Sequence, residues 1–212
     1  MEKKKSGLFK NTLVLVIITL VAVAALAVVN QITKGPIEQA EINQKAAAYK
    51  VVYADAKEFG EVDGLDKMIE KSTKLFNKNG LAGCAVTDAL EVKSSNGDTE
   101  GYIIASSSPN GYGGEIDVAI GIKDDKLTGF TVISNSETAG LGSKCADPDF
   151  QNQFKGKPAQ TLSYTKSGAT ADTEIDAISG ATITTNAVTE AVNAGIAFYQ
   201  ANFGGADSAQ AQ

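Results

Sequence analysis

Histidine is absent from this chain of 212 residues, and cysteine occurs only twice, at Cys84 and Cys145. The first absence rules out Ser-His-Asp triads, zinc sites with imidazole ligands and histidine-ligated haem. The second rules out a four-thiolate iron–sulfur cluster within one chain, and the spacing of the two thiols matches no metal-binding pattern. No metal site and no autonomous catalytic residue is expected. Redox work, if the chain does any, falls to an organic cofactor. The nucleotide-binding fingerprints G-x-x-x-x-G-K-[ST] and G-x-G-x-x-G are missing as well.

What is present suffices for one core. With 43% hydrophobic and 21% charged residues, one globular domain with appendages is expected. The run 13–29, LVLVIITLVAVAALAVV, is broken only by Thr19, and with Thr12 and Thr33 at its ends it is long enough to cross a bilayer. Lys3, Lys4, Lys5 and Lys10 precede it against a single acid, Glu2, while the remainder is acidic enough to bring the whole chain to −6. The positive-inside rule then puts the N-terminus in the cytoplasm and everything beyond the span outside. A cleaved signal peptide is the competing reading, because Ala25-Leu26-Ala27 resembles a small-x-small cleavage site, although the run is longer than a signal core. No lipobox cysteine follows it.

The organisation expected is a basic cytoplasmic segment 1–10, a transmembrane helix 11–33, a helical linker region 34–80, one domain 81–203 and a disordered tail 204–212. Pro36 suits the first turn of a helix that Ala- and Lys-rich composition carries to Phe59. Met68, Ile69 and Leu75 hint at a second short helix. From 84 to 134 the pattern turns to strands: AVTDALEVKS and TEGYIIASS flank an Asn-Gly turn at 95–98, and EIDVAIGI and KLTGFTVIS flank Lys123-Asp124-Asp125-Lys126. This meander implies an antiparallel sheet with one covered face. Residues 134–144 form a loop, a short helix follows around DPDFQNQF, and 175–178 is a possible strand. Val188, Val192, Ile196 and Tyr199 then mark an amphipathic helix from Thr184 onward with a Thr or Asn cap. The fold class is therefore α+β, an antiparallel sheet flanked by helices.

The tetrad Ser-Gly-Ala-Thr occurs twice, at 167–170 and at 179–182. The first lies in a polar run with no apolar strand before it and no helix after it. The second has Asp176 three residues upstream, Ile178 leading in and a helix just downstream. Strand, glycine turn and helix N-terminus together bind phosphate, because free N–H groups and the helix dipole face the anion. The competing reading is a simple capped turn.

Asp176-Ala177-Ile178-Ser179-Gly180-Ala181-Thr182 resembles the D-x-x-[ST]-G-A-T flavinylation motif of the FMN-binding domain family. Tyr164 stands at the aspartate position of the first tetrad. Gly111-Tyr112-Gly113-Gly114 before a strand, and Glu137-Thr138-Ala139-Gly140-Leu141-Gly142, similar to that family's E-T-P-G-L-G loop, follow in the same order over roughly residues 80–200. Ala139 replaces the usual proline and Asn135 stands where histidine is frequent. The N-terminal helix followed by Thr33-x-x-Pro36-Ile37 narrows the resemblance to the RnfG (RsxG) subunit of Rnf electron-transport complexes, with the NqrC subunit of sodium-pumping quinone reductases as nearest relative.

The resemblance implies FMN joined by a phosphoester to Thr182. Asp176, Ser179, Gly180 and Ala181 would shape the attachment site, and Glu137, Thr138, Gly140, Leu141, Gly142 and Tyr112 would surround the ring. It also implies a separate ApbE-like flavin transferase using FAD and a divalent metal. The chain would be an electron-transfer subunit on the outer face of the cell membrane, in contact with lipid and other complex subunits, within a complex that couples ferredoxin and NAD to Na⁺ or H⁺ translocation. No nucleic acid is expected as a partner. Two other readings stand beside this one: an NqrC-like or free-standing anchored flavoprotein, and a pilin-like structural protein. Against the latter, Thr12 occupies the position where pilins generally carry Glu. Cys84 and Cys145 could pair or stay buried thiols.

Overall fold

The computed structural model describes residues 2–204, with side chains described for 9–33 and from 44 onward. It divides into two compact units, Met1–Gln44 and Lys45–Gln212. Helix α1 spans Glu2–Val52. Its segment Phe9–Thr33, 25 residues of mean hydropathy 3.1 with no buried side chains, is long and apolar enough to cross a membrane. The helix passes through Gly35-Pro36 instead of starting at Pro36.

The helix also stops sooner than composition implies. It ends at Val52, and Glu58–Glu61 forms strand β1 where helix was expected. The Val52 carbonyl accepts the Thr128 hydroxyl at 2.7 Å. Gly121 and Gly129, paired across two neighbouring strands, leave room for this helix end: a methyl on Gly129 would lie 2.8 Å from Val52 Cα. Local preference yields here to docking on the sheet.

Strands β1, β2 (Ala85–Lys93), β3 (Thr99–Ser108), β4 (Ile116–Lys123) and β5 (Lys126–Ser134) form one antiparallel sheet in sequence order. The two expected hairpins are present, and Asp124 and Asp125 take φ of 50° and 55°, the left-handed pair of a two-residue turn. The meander nevertheless has five strands, because β1 pairs with β2 from Glu58↔Lys93 to Glu61↔Leu90. Residues 45–80, read from sequence as linker, thus belong to the compact unit and include α2 (Leu65–Lys78), which matches the short helix expected around Met68.

Both sheet faces are covered, where one was expected. On one side Val86, Ala89, Ile104, Val118, Ile120 and Phe130 pack with α2 and the long helix α4 (Thr182–Asn202). On the other, Ala48, Tyr49, Val52 and Tyr53 cover Val92, Ile103, Ala105 and Ala119. The end of α1 supplies the second cover, and Tyr49 anchors it by donating to Asp88 at 2.6 Å. Burial foremost, then this bond to a carboxylate, raises the Tyr49 phenol well above its ordinary value.

After β5 the loop tightens into a 3-10 turn at Gly142–Ala146, then α3 (Pro148–Gln151) and a second 3-10 turn at Asn152–Phe154. Two short strands, β6 (Ser163–Thr165) and β7 (Glu174–Asp176), pair in parallel before α4. Val188, Val192, Ile196 and Tyr199 are buried as their spacing implies. The expected disordered tail, beyond Gly204, lies outside the described residues.

Candidate functional site

The second tetrad sits where β7 gives way to α4. Residues 178–181 form a turn closed by the Ala181 N–H donating to the Ile178 carbonyl at 3.0 Å. Gly180 takes a φ of 78°, which glycine adopts without strain. Thr185 locks the turn from inside: its buried hydroxyl accepts the Ile178 N–H and donates to the Ala181 carbonyl, both at 3.0 Å. The helix accordingly begins at Thr182, not near Thr184, with Ala181 as its N-terminal flank. No side chain caps it, contrary to the expected Thr or Asn cap. The Thr184 hydroxyl is bound to Glu137 and the Thr185 hydroxyl to the turn. First-turn N–H groups and the positive end of a 21-residue helix dipole thus lie beside the half-buried Thr182. That is the local chemistry of a phosphate site.

The first tetrad has the same letters and opposite surroundings. A strand does precede it, since β6 ends at Thr165, but the loop that follows has its amides bound by acids. Ala169 N–H donates to Asp176 Oδ1 at 2.6 Å, and Thr170 and Ala171 N–H donate to Glu174 Oε2 at 3.0 and 3.2 Å. Two carboxylates occupy the donors that an anion would need and repel it. Asp176 belongs to the second motif by sequence, yet its carboxylate holds the first loop, while its own N–H donates to Gln153 Oε1 at 2.6 Å.

The Thr170 and Ala171 N–H groups pull the Glu174 carboxyl below its ordinary value. A lowered folded value means that this tie is fully present above the ordinary glutamate range and is lost as pH falls through the lowered one. In an NMR titration the Thr170 and Ala171 amide shifts are expected to move with a midpoint below that of a free glutamate. A midpoint at or above it would refute the tie.

Glu137 gathers three segments. Its Oε1 accepts the Gly113 N–H at 3.0 Å and its Oε2 accepts the Thr184 hydroxyl at 2.6 Å. Gly142 packs so closely that a side chain there would collide with Oε2 of Glu137 and Oγ1 of Thr184. Gly111 is close too: a methyl on it would sit 2.7 Å from Oε1. Asn135, in the histidine position of the related loop, accepts the Glu137 N–H at 3.1 Å, so an asparagine suffices to shape this corner. Thr138 accepts the N–H groups of Leu141 and Ser143 through its carbonyl, and the Gly140 N–H donates to Ser143 Oγ at 2.9 Å.

Beyond residue 60, the exposed large hydrophobic side chains among the described residues are Tyr112 (71%), Leu141 (47%) and Ile183 (54%). Leu141 lies against Gly180, where a methyl would approach its Cδ2 to 3.6 Å. The fold therefore brings the Tyr112 loop, the 137–142 loop and the second tetrad together. Ser179 is exposed at the turn itself. Asp176 is turned to the first tetrad.

Cys84 and Cys145 are both buried and free. Burial first, then the negative charge of Glu137, pushes the Cys145 thiol up to about 11; burial likewise raises Cys84. Native protein at neutral pH is expected to resist iodoacetamide at both positions and to take up two adducts after denaturation, read by intact mass. Rapid native labelling of Cys145 would contradict its burial.

Sequence reasoning did not single out Thr184, Thr185, Gln153 or Ile183. A threonine pair inside a helical pattern carries no local sign of what it bonds. Ile183 does break the apolar spacing of α4, which was the available signal.

These features define an FMN-binding domain joined to an apolar N-terminal helix. The family model for the FMN-binding domain matches residues 111–197, and that for the RnfG N-terminal region matches residues 1–52. The chain is 36% identical over 195 residues to the G subunit of the Na(+)-translocating ferredoxin:NAD(+) oxidoreductase complex of Acetobacterium woodii, covering 91% of each. It is 30% identical to the G subunit of the ion-translocating oxidoreductase complex of Methanosarcina acetivorans, over 92% of this chain and 96% of that one. The chain belongs to the RnfG family of Rnf-complex subunits. Among solved structures it is similar to the C subunit of the Na(+)-translocating NADH-quinone reductase from Parabacteroides distasonis. That match has 24% identity and a TM-score of 0.46, over 68% of this chain and 76% of that one.

Proposed function

We propose that the chain is a membrane-anchored electron-transfer subunit of an ion-translocating ferredoxin:NAD oxidoreductase complex, carrying FMN through a phosphoester to Thr182. The observation that carries this reading is the uncapped N-terminus of α4, with Thr182 as its first residue inside the D-x-x-S-G-A-T motif. The residues fit the group. First-turn amides of α4 would hold the phosphoryl oxygens, Gly180 keeps the turn open beside Leu141, and Tyr112 and Leu141 offer apolar surface to the ring. One negative charge at this helix end gains about 0.3–1 kcal/mol from the dipole, which favours keeping the phosphoester there. Bound FMN would supply one- and two-electron transfer; the protein would fix its place and tune its potential.

FAD contains FMN joined to AMP, so a transferase moving FMN onto Thr182 Oγ breaks the phosphoanhydride, releases AMP and takes up the hydroxyl proton. By the positive-inside rule, the excess of lysine before the apolar span supports a cytoplasmic N-terminus with the FMN domain on the outer side, where a covalent tether would prevent loss of cofactor. The experiment is co-expression with a flavin transferase, followed by intact mass and in-gel fluorescence of denatured protein. The expected result is a mass increase of one FMN less water together with a fluorescent band. An unmodified mass under these conditions would overturn the covalent reading.

A further inference from the structure

Beyond residue 60, each of the three exposed large apolar side chains among the described residues directly precedes a residue in contact with Glu137. Tyr112 precedes Gly113, whose N–H donates to Glu137 Oε1. Ile183 precedes Thr184, whose hydroxyl donates to Glu137 Oε2. Leu141 precedes Gly142, which is packed against Oε2 so tightly that no side chain fits. Each exposed residue is therefore one position before an atom set by the same carboxylate. Exposure of a large apolar side chain is ordinary when it occurs singly. Here the rest of α4 buries its large apolar side chains, and Ile183, directly after Thr182, is the exception.

We infer that Glu137 is a positioning residue: its carboxylate ties together the segments bearing Tyr112, Leu141 and Ile183, and these three side chains form the apolar seat for the flavin ring tethered at Thr182. This rests on the covalent-FMN reading above. It assigns Ile183 a direct contact with the ring. It also gives Glu137 a role beyond lining the ring, because each of its two oxygens accepts a hydrogen bond from a different segment of the protein. Gly111, Gly113 and Gly142 are glycines for the same reason: a side chain at each would collide with Glu137, with Thr184 or with the Ser136 carbonyl.

The test uses the full chain in detergent, unmodified and flavinylated, as wild type, Glu137→Ala, Thr184→Val, Thr184→Ser and Ile183→Ala. In the unmodified chain, Glu137→Ala should speed hydrogen exchange at the Gly113 amide by about tenfold or more, the consequence of losing a bond to a carboxylate. In the flavinylated chain, Thr182 remains modified in every variant. The visible circular dichroism and midpoint potential of the flavin shift in Glu137→Ala, Thr184→Val and Ile183→Ala, and Thr184→Ser restores the wild-type spectrum. Wild-type exchange at Gly113 together with a wild-type flavin spectrum in Glu137→Ala would overturn the inference. If Glu137→Ala does not fold, Thr184→Val, which breaks only one arm, decides by the same spectrum. Absence of flavin from the wild type would instead overturn the covalent reading, and the exchange arm would still judge Glu137.

Discussion

Thr182→Ala is expected to abolish covalent flavin completely: its mass is that of its own sequence with no FMN added and its denatured band is dark, while Thr170→Ala keeps both signals. The two threonines close identical tetrads, so the contrast isolates their surroundings. At Thr182 the amides of the first helical turn are uncapped by any side chain, and the positive dipole end stabilises a phosphoryl group. At Thr170 the corresponding amides are bonded to Glu174 and the preceding one to Asp176, so a phosphoryl group would face two carboxylates and find its donors taken. Thr182→Ser keeps the nucleophilic oxygen and should retain attachment at lower yield. Flavin persisting on Thr182→Ala would show that another residue carries it, and the assignment would fall.

Phe154→Ala is expected to be the most damaging core substitution near the site. The side chain is fully buried, stacked on Phe130 at 4.2 Å between ring centroids and edge-on to Phe150 at 5.5 Å. Removing such a ring costs about 3–5 kcal/mol. For a unit of this size that corresponds to a fall of about 6–20 °C in melting temperature. The effect reaches function through the neighbouring residue: Gln153, in the same 3-10 turn, pairs with the Asp176 backbone at the start of the motif. Loosening that turn should lower the yield of flavinylation along with stability. Val51→Ala, at an exposed helix position, should change stability by less than about 0.5 kcal/mol. Equal thermal midpoints for Phe154→Ala and wild type would show that the aromatic cluster does not support the fold.

Much of the architecture was legible as local pattern. Alternating apolar residues and two short polar turns located β2 to β5, because side-chain alternation and turn chemistry act over a few residues. The apolar run located the span, and the 3.6-residue spacing of Val188 to Tyr199 located α4. What failed depended on partners distant in the chain. Residues 58–61 became a strand because β2 offered an unpaired edge, and the second sheet face was covered because Gly121 and Gly129 admit the end of α1.

Asp176, the glycine turn and the following helix lie within one short segment, so local pattern already distinguishes Thr182 from Thr170. What those residues bond to depends on parts of the chain far from them. Folding turns Asp176 toward the first tetrad, uses the hydroxyls of Thr184 and Thr185 in place of a helix cap, and joins the Gly113 loop and the first turn of α4 on Glu137. The physical reason is range: dipoles, turns and periodicity act between near neighbours along the chain, whereas a carboxylate's hydrogen bonds go to whichever donors folding brings within about 3 Å.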